Sequence, residues 1–231
     1  MTKTKLYIVR HGKTMFNTIG RAQGWSDTPL TPAGELGIHG TGRGFYEANM
    51  DFVAAFSSDS GRTIQTMDIL LDELHQPKIP YLRDKRIREW CFGSLDGGFD
   101  GMLFEGVLPR TSAYAGKDME NLTYEDMANG IVEVDTANWA EPWDVLKNRI
   151  YSGFEDMAHR VRQNGGGNAL VVSHGMTIGT FCNLVHPDRP RPRGILNGSV
   201  TVVSYDDSGF TVEKIGDISY QETGLTLLEN D

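Results

Sequence analysis

The sequence predicts an α/β fold with a mostly parallel central sheet covered by helices on both faces. Three observations carry that expectation. Candidate strands and helices alternate along most of the chain, the pattern of repeated strand–helix–strand units. The strands Lys5 to Val9 and Ala169 to Val172 are short apolar runs with no polar face, as in sheets buried on both sides. Several intervening segments place apolar residues at helical spacing. The 231 residues fit one domain, 1–231, with an insertion at about 99–141 where the alternation lapses.

The elements follow in order. Lys5 to Val9 ends at Arg10-His11-Gly12. Thr31-Pro32 opens a helix with a capping residue and Pro at its first position. Gly34, Gly37, Gly40 and Gly44 form one stripe along it. Each costs about 1 kcal/mol relative to Ala, so the stripe predicts a helix lying close to the sheet. Phe52 to Phe56 is a second strand. Ser57-Ser58 leads into a helix bearing Ile64, Met67, Leu71 and Leu74. Ile79 to Leu82 is a short strand. Thr123 caps a short helix within the insertion. Pro142 opens a longer one, with Trp143, Leu146, Ile150, Phe154, Met157 and Val161 on one face, stopped by Gly165-Gly166-Gly167. Ala169 to Val172 ends at Ser173-His174-Gly175 and is followed by a helix bearing Ile178, Phe181, Cys182 and Val185. Val200 to Tyr205 and Phe210 to Ile215 form a hairpin around Asp206-Asp207-Ser208-Gly209.

Composition narrows the partners. With 39% hydrophobic and 23% charged residues the chain is globular. The net charge of −9 argues against nucleic acid as a partner. No apolar run approaches the ~20 residues of a membrane span, and no signal-peptide core precedes Leu6. Cys91 and Cys182 make no disulfide framework. A cytoplasmic location is expected. Asp118 to Asp144 holds eight acids and no Lys or Arg, −8 of the total charge. It predicts an acidic cap that repels highly anionic ligands. Basic residues cluster instead at Arg83, Lys85, Arg86 and Arg88, and at Arg189, Arg191 and Arg193.

Three strands end in residues suited to an anion: Arg10-His11-Gly12, Ser57-Ser58 with Arg62, and Ser173-His174-Gly175. Ligands of open parallel sheets sit beyond the carboxyl ends of the strands, so the three sets can converge. Arg forks match phosphate oxygens, and helix N-termini favour negative charge. Taken alone, Glu89 could pair with Arg86 or Arg88, and Ser57 could simply cap the helix. No pair among His39, His75, His159 and His186 has metal-ligand spacing. No metal and no cofactor are expected. Trp25, Phe92, Phe99, Phe104, Tyr114 and Trp139 are candidates for an apolar pocket wall, and Cys91 stands two residues from Glu89.

Arg10-His11-Gly12-Lys13-Thr14-Met15-Phe16-Asn17 resembles the R-H-G signature of the histidine phosphatase superfamily, phosphoglycerate-mutase-like branch. Arg21, Gln23-Gly24 and Asp27 to Thr31 continue that pattern. Ser57 to Thr66, Arg88-Glu89 with Phe92-Gly93 and Leu95-Asp96-Gly97, and Val171 to Gly175 resemble its later blocks, in family order. The resemblance implies a three-layer α/β/α, phosphoglycerate mutase-like fold in which the insertion acts as a cap. It implies His11 as a nucleophile that becomes phosphorylated. Arg10, Arg62 and His174 would hold the transferring oxygens, and Glu89 would be the general acid and base. Asn17, Gln23, Gly24 and Gly175 are added as substrate-binding candidates. The chemistry is coherent: phosphoryl transfer needs positioning and charge neutralisation, and a covalent intermediate divides it into two easier steps.

The function so implied is hydrolysis of a small-molecule phosphomonoester by a monomer or homodimer. The alternative is a cofactor-dependent phosphoglycerate mutase. Mutases of the family carry a basic stretch in the insertion, whereas this insertion is acidic, and Thr14 and Phe16 replace the family's Ser and Trp. A catalytically inactive phosphate-binding protein is a third possibility, opposed by the intact set His11, Arg10, Arg62, Glu89 and His174.

Overall fold

Six strands form one sheet in the computed structural model, which describes all residues except Met1, Thr2, Pro77, Met119, Glu120, Arg193 and Asp231. They are β1 (Thr4–Arg10), β2 (Ala54–Ser57), β3 (Tyr81–Arg83), β4 (Gly167–Ser173), β5 (Val200–Asp206) and β6 (Gly209–Asp217), in the order β3-β2-β4-β1-β5-β6. β1 to β4 run parallel, and β5 and β6 add an antiparallel edge. The helices are α1 (Met15–Ile19), α2 (Pro32–Glu47), α3 (Gly61–Glu73), α4 (Tyr124–Val134), α5 (Trp143–Gln163), α6 (Gly175–Val185) and α7 (Ser219–Leu228).

Alternation along the strands divides the core. Leu6, Ile8, Ala169 and Val171 face α5 and α6, while Tyr7, Val9, Leu170 and Val172 face α2 and α3. Both faces of the parallel strands are therefore apolar, which explains their unbroken hydrophobic runs. The pairing Arg10↔Ser173 and Ser57↔Val172 brings three strand ends to one edge of the sheet. The chain leaves that edge at Arg10-His11-Gly12, at Ser57-Ser58 and at Ser173-His174-Gly175.

Two features differ from expectation. Of the glycine stripe of α2, Gly34 abuts the backbone of Lys13, while Gly37, Gly40 and Gly44 face not the sheet but α7, a helix the sequence pattern did not reveal. A Cβ on Gly44 would lie 2.0 Å from Tyr220 O, and one on Gly224 1.8 Å from Gly40 O. Backbone meets backbone there, so the glycines are a requirement of helix–helix contact. Ser57 does not cap α3. It is buried and bonds Ser58 O (2.6 Å) and Tyr81 Oη (2.6 Å), and the cap position falls to Ser60.

The stretch 99–141 holds a π-helical turn at Met102–Val107, two 3-10 turns and α4. Its charges are largely bound within its own surroundings. Asp126 caps α4 through Thr123 and pairs with Lys117. Asp135 accepts from the amides of Ser94, Ala137, Trp139 and Ala140 at 2.6–2.9 Å, bonds that hold its carboxyl well below the usual range. Glu133 accepts from Ser112, and Glu141 pairs with Arg149 at 2.5 Å. Glu120 and Arg193, part of the acidic and basic runs of the sequence, lie outside the described residues.

Candidate active site

β1 delivers Arg10 and His11, α3 delivers Arg62 from its first turn, and the end of β4 delivers His174. Loop contacts hold these positions. Gly12 N donates to Thr66 Oγ1 (3.0 Å), and Asn197 Nδ2 donates to His11 O (2.9 Å). Thr14 and Asn17 form a reciprocal cap on α1. His11 is 3% exposed, and Arg62 and His174 are fully buried.

The hydrogen bonds fix both imidazole tautomers. His11 Nδ1 lies 2.8 Å from Gly12 O. A carbonyl only accepts, so Nδ1 carries the proton and Nε2 keeps its lone pair. Arg62 Nε donates to that Nε2 at 3.3 Å. Arg62 Nη2 approaches His174 Nδ1 at 3.0 Å. A guanidinium only donates, so His174 carries its proton on Nε2. Burial, reinforced by the charges of Arg62 and Arg10, holds His11 well below 6.5. Burial and Arg62 do the same for His174. Both rings are therefore neutral near pH 7.

Arg62 is clamped: Nη1 donates to Ser26 O (2.9 Å) and Asp27 Oδ1 (2.8 Å), and Nη2 to Gly24 O (2.8 Å). Arg10 Nη1 donates to Ile195 O at 2.5 Å. Burial lowers the pKa of both guanidinium groups, Asp27 opposing it at Arg62 and Glu89 at Arg10. Two buried donors, Arg10 Nε and His174 Nε2, have no hydrogen-bond partner among the described residues. Buried donors without partners are rare, and these two, on residues flanking His11 in sequence or in space, suit acceptor oxygens.

Glu89 is 6% exposed and sits at the N-terminus of α6. Its Oε1 accepts from Thr177 N (2.9 Å), Thr177 Oγ1 (3.0 Å) and Trp90 N (3.1 Å), and its Oε2 from Met176 N (3.0 Å). It pairs with neither neighbouring arginine: Arg86 bonds Asp84 and Asp156, and Arg88 bonds Asp59.

Arg10, His11 and Glu89 open on a cleft of about 470 Å³, within the size range of small-molecule sites. Asn17, Gln23 and Gly175 line it too. Both ends of the Gln23 amide are bonded, to Thr14 (2.6 Å) and Thr28 (3.0 Å). Gly24 is not part of the wall. Its carbonyl holds Arg62, and a Cβ there would meet Trp90 O at 2.3 Å. A Cβ on Gly175 would come within 3.3 Å of Arg10 Nε. The outer wall holds Phe92 and Phe104 of the aromatic candidates, with Tyr124, Met127, Arg21, Arg191 and Asp100.

Trp25, Phe99 and Trp139 are exposed, while Tyr114 and Cys91 are buried away from the cleft. No acid of the described part of 118–144 lines the cleft, because those side chains face solvent or the bonds already given. The acids of the wall are Glu89 and Asp100. A larger hollow of about 820 Å³ behind Tyr124 and Arg191 contains none of the five catalytic candidates. Among the described residues no group of three or more His, Cys, Asp or Glu could hold a metal ion, and no helix is long and apolar enough to cross a membrane.

Sequence reasoning missed Asp27, Thr177 and Asn197, the residues that orient Arg62, Glu89 and the loop after β1. Asp27 stood in a recognised block, but nothing in the sequence paired it with Arg62.

Residues 6–218 match the model of the histidine phosphatase superfamily, branch 1. The chain is 28% identical over 226 residues to the "Probable phosphoglycerate mutase GpmB" of Yersinia pestis (strain Pestoides F), covering 94% of each. A 2,3-bisphosphoglycerate-dependent phosphoglycerate mutase of Treponema pallidum is 34% identical, but over 93 residues, 40% of this chain and only 37% of that relative's length. The crystal structure of a phosphoglycerate mutase from Bacillus anthracis str. Sterne superposes with a TM-score of 0.89 at 33% identity, over 96% of this chain and 97% of that one. A phosphoserine phosphatase from Entamoeba histolytica shares the fold, with a TM-score of 0.65 at 19% identity over 94% and 98% of the two chains.

Proposed function

The chain belongs to the histidine phosphatase superfamily, branch 1, and from that premise we propose that it hydrolyses a small phosphomonoester through a phosphohistidine on His11. The observation that carries this is a neutral imidazole whose Nε2 lone pair lies among cationic and neutral donors, two of them without partners. Nε2 attacks phosphorus as the bond to the ester oxygen breaks. Arg10, Arg62 and His174 Nε2–H neutralise the charge spread over the transferring oxygens. Glu89, in the wall of the same cleft, gives the leaving oxygen its proton. It then takes one from water, whose oxygen attacks the phosphohistidine and frees inorganic phosphate and His11. Asn17 and Gln23 border the bound ester, and Gly175 leaves room for Arg10 beside it.

A phosphoglycerate mutase is the second reading. The named relatives favour it, as do Arg21 and Arg191 in the outer wall. Against it, the residues of 99–141 that line the cleft are Asp100, Phe104, Tyr124 and Met127, and none is basic. Incubation with 3-phosphoglycerate, with and without 2,3-bisphosphoglycerate, followed by ³¹P NMR separates the two. Hydrolysis releases inorganic phosphate from some member of a broad phosphoester panel. Interconversion of the phosphoglycerates without net release establishes the mutase.

A further inference from the structure

One titratable side chain in the cleft has no part in the chemistry above. Asp100 is half-buried and lines the cleft together with Gly194 and Ile195, close enough to Arg10 to feel its charge. Its position is rigidly set. Residues 20–22 and 97–100 form a short ladder in which Asp100 N donates to Gly20 O (2.9 Å), Ala22 N to Gly98 O (2.8 Å) and Gly97 N to Ala22 O (2.9 Å). Arg21 and Phe99 bridge the ladder, and the Arg21 guanidinium lies 4.2 Å from the Phe99 ring centroid. Asp100 therefore follows two residues anchored to the segment that carries Gln23.

No described residue donates a hydrogen bond to the Asp100 carboxylate. Burial raises its pKa despite the opposing charge of Arg10, as for a carboxylate whose local donors are too few. Asp100 lines the same cleft as Arg10 and His11, where the alcohol part of an ester would lie. The other acid there, Glu89, already accepts from Trp90, Met176 and Thr177 and is given to the proton transfers. Arg21 donates to Gly97 O, and Arg191 lies against Tyr124 and Met127. Asp100 is thus the carboxylate of the outer cleft whose oxygens no described residue binds.

We propose that Asp100 is a specificity-determining residue that accepts a charge-assisted hydrogen bond from an ammonium on the substrate's alcohol, so that the preferred esters are phosphorylated amino alcohols and a second anionic group is rejected. This rests on the phosphomonoesterase reading of the same cleft. The test uses three esters of similar size: phosphoethanolamine, n-propyl phosphate and 2-phosphoglycolate, which are cationic, neutral and anionic at the distal end. A hydrogen bond to a charged group predicts that kcat/KM for phosphoethanolamine exceeds that for n-propyl phosphate by about tenfold or more, chiefly through KM, with 2-phosphoglycolate last. Asp100→Asn collapses the cationic-to-neutral ratio towards one, and Asp100→Glu, which keeps the charge, retains the order. A purely structural role for Asp100 would lower all three values together and leave the ratios alone.

Binding of the same esters to His11→Ala, measured by calorimetry, separates the two claims. The predicted ranking in binding, without hydrolysis by the unaltered protein, would defeat the phosphatase reading and leave the Asp100 assignment standing. Hydrolysis with a ranking that ignores distal charge, or a ranking unchanged in Asp100→Asn, would overturn the assignment.

Discussion

The inner and outer halves of the cleft are built on different principles. The inner half consists of side chains at the carboxyl ends of β1 and β4 and the N-termini of α3 and α6, all nearly buried. Almost every polar atom there has a named partner, and the two that do not are donors. The outer half comes from the ladder around Asp100, from α4 and from 191–195, and mixes aromatic, thioether and charged groups. In the proposed reaction the inner half serves the phosphoryl group, which every such ester shares. The outer half meets whatever alcohol is attached, so chemistry and selectivity should respond separately to substitution.

The sharpest break between the halves is His11→Ala. Removing the nucleophile costs at least about 10⁴-fold in kcat for every ester, with circular dichroism and cooperative unfolding retained. A loss confined to some esters would place the chemistry elsewhere.

Next comes stability against pH. His11 and His174 stay neutral in the fold, whereas unfolded histidine takes up a proton near pH 6.5. Below that pH the unfolded chain binds more protons, so stability falls as pH drops through 6.5, in a window above that of the carboxylates. Two such groups contribute a slope approaching about 2.7 kcal/mol per pH unit. Urea unfolding between pH 7.5 and 5.0 measures it, and His11→Ala should remove about half. An unchanged slope would show that His11 titrates normally in the fold.

Thr177→Val leaves Glu89 in place but deletes one of its donors. About tenfold lower kcat with little change in KM is expected, together with a shifted pH–rate profile. The profile is the decisive part, since a packing defect would not move it. In the outer half, Met127→Ala should raise KM severalfold and spare kcat, checked by initial rates over a range of ester concentrations. At the end of the scale, excess EDTA should leave the rates unchanged, because two arginines supply the neutralising charge. Activity lost to EDTA and restored by a divalent ion would require another mechanism.

The same division governed what the sequence disclosed. His11, Arg10, Arg62 and His174 were legible because each follows a recognisable element boundary, and parallel strands bring such boundaries to one edge. Thr177, Asp27 and Asn197 were not, since their importance lies in a partner distant in sequence. Asp100 sits in a ladder held by only a few backbone bonds, too short to leave a periodic pattern. Tyr124 and Met127 lie in the short helix that Thr123 caps, and nothing in a capping residue says that the helix borders a cleft. The −8 run suggested an acidic cap, but charge counting cannot show that Asp135 is enclosed by four amides. The fold was read almost completely. Two helices escaped it: α1 has no buried residue and α7 only Gly224, so both lack the apolar stripe by which helices are recognised. The glycines of α2 were visible, but not what they faced.

In the proposed reaction His11 attacks through Nε2 because Nδ1 is committed to Gly12 O. Protein labelled uniformly with ¹⁵N and trapped with a turned-over ester in acid-free quench can be examined by ¹⁵N–³¹P correlation NMR. The account predicts one phosphohistidine, phosphorylated on Nε2 and missing from His11→Ala. Phosphorus on Nδ1, or a phosphohistidine that persists in that variant, would contradict it.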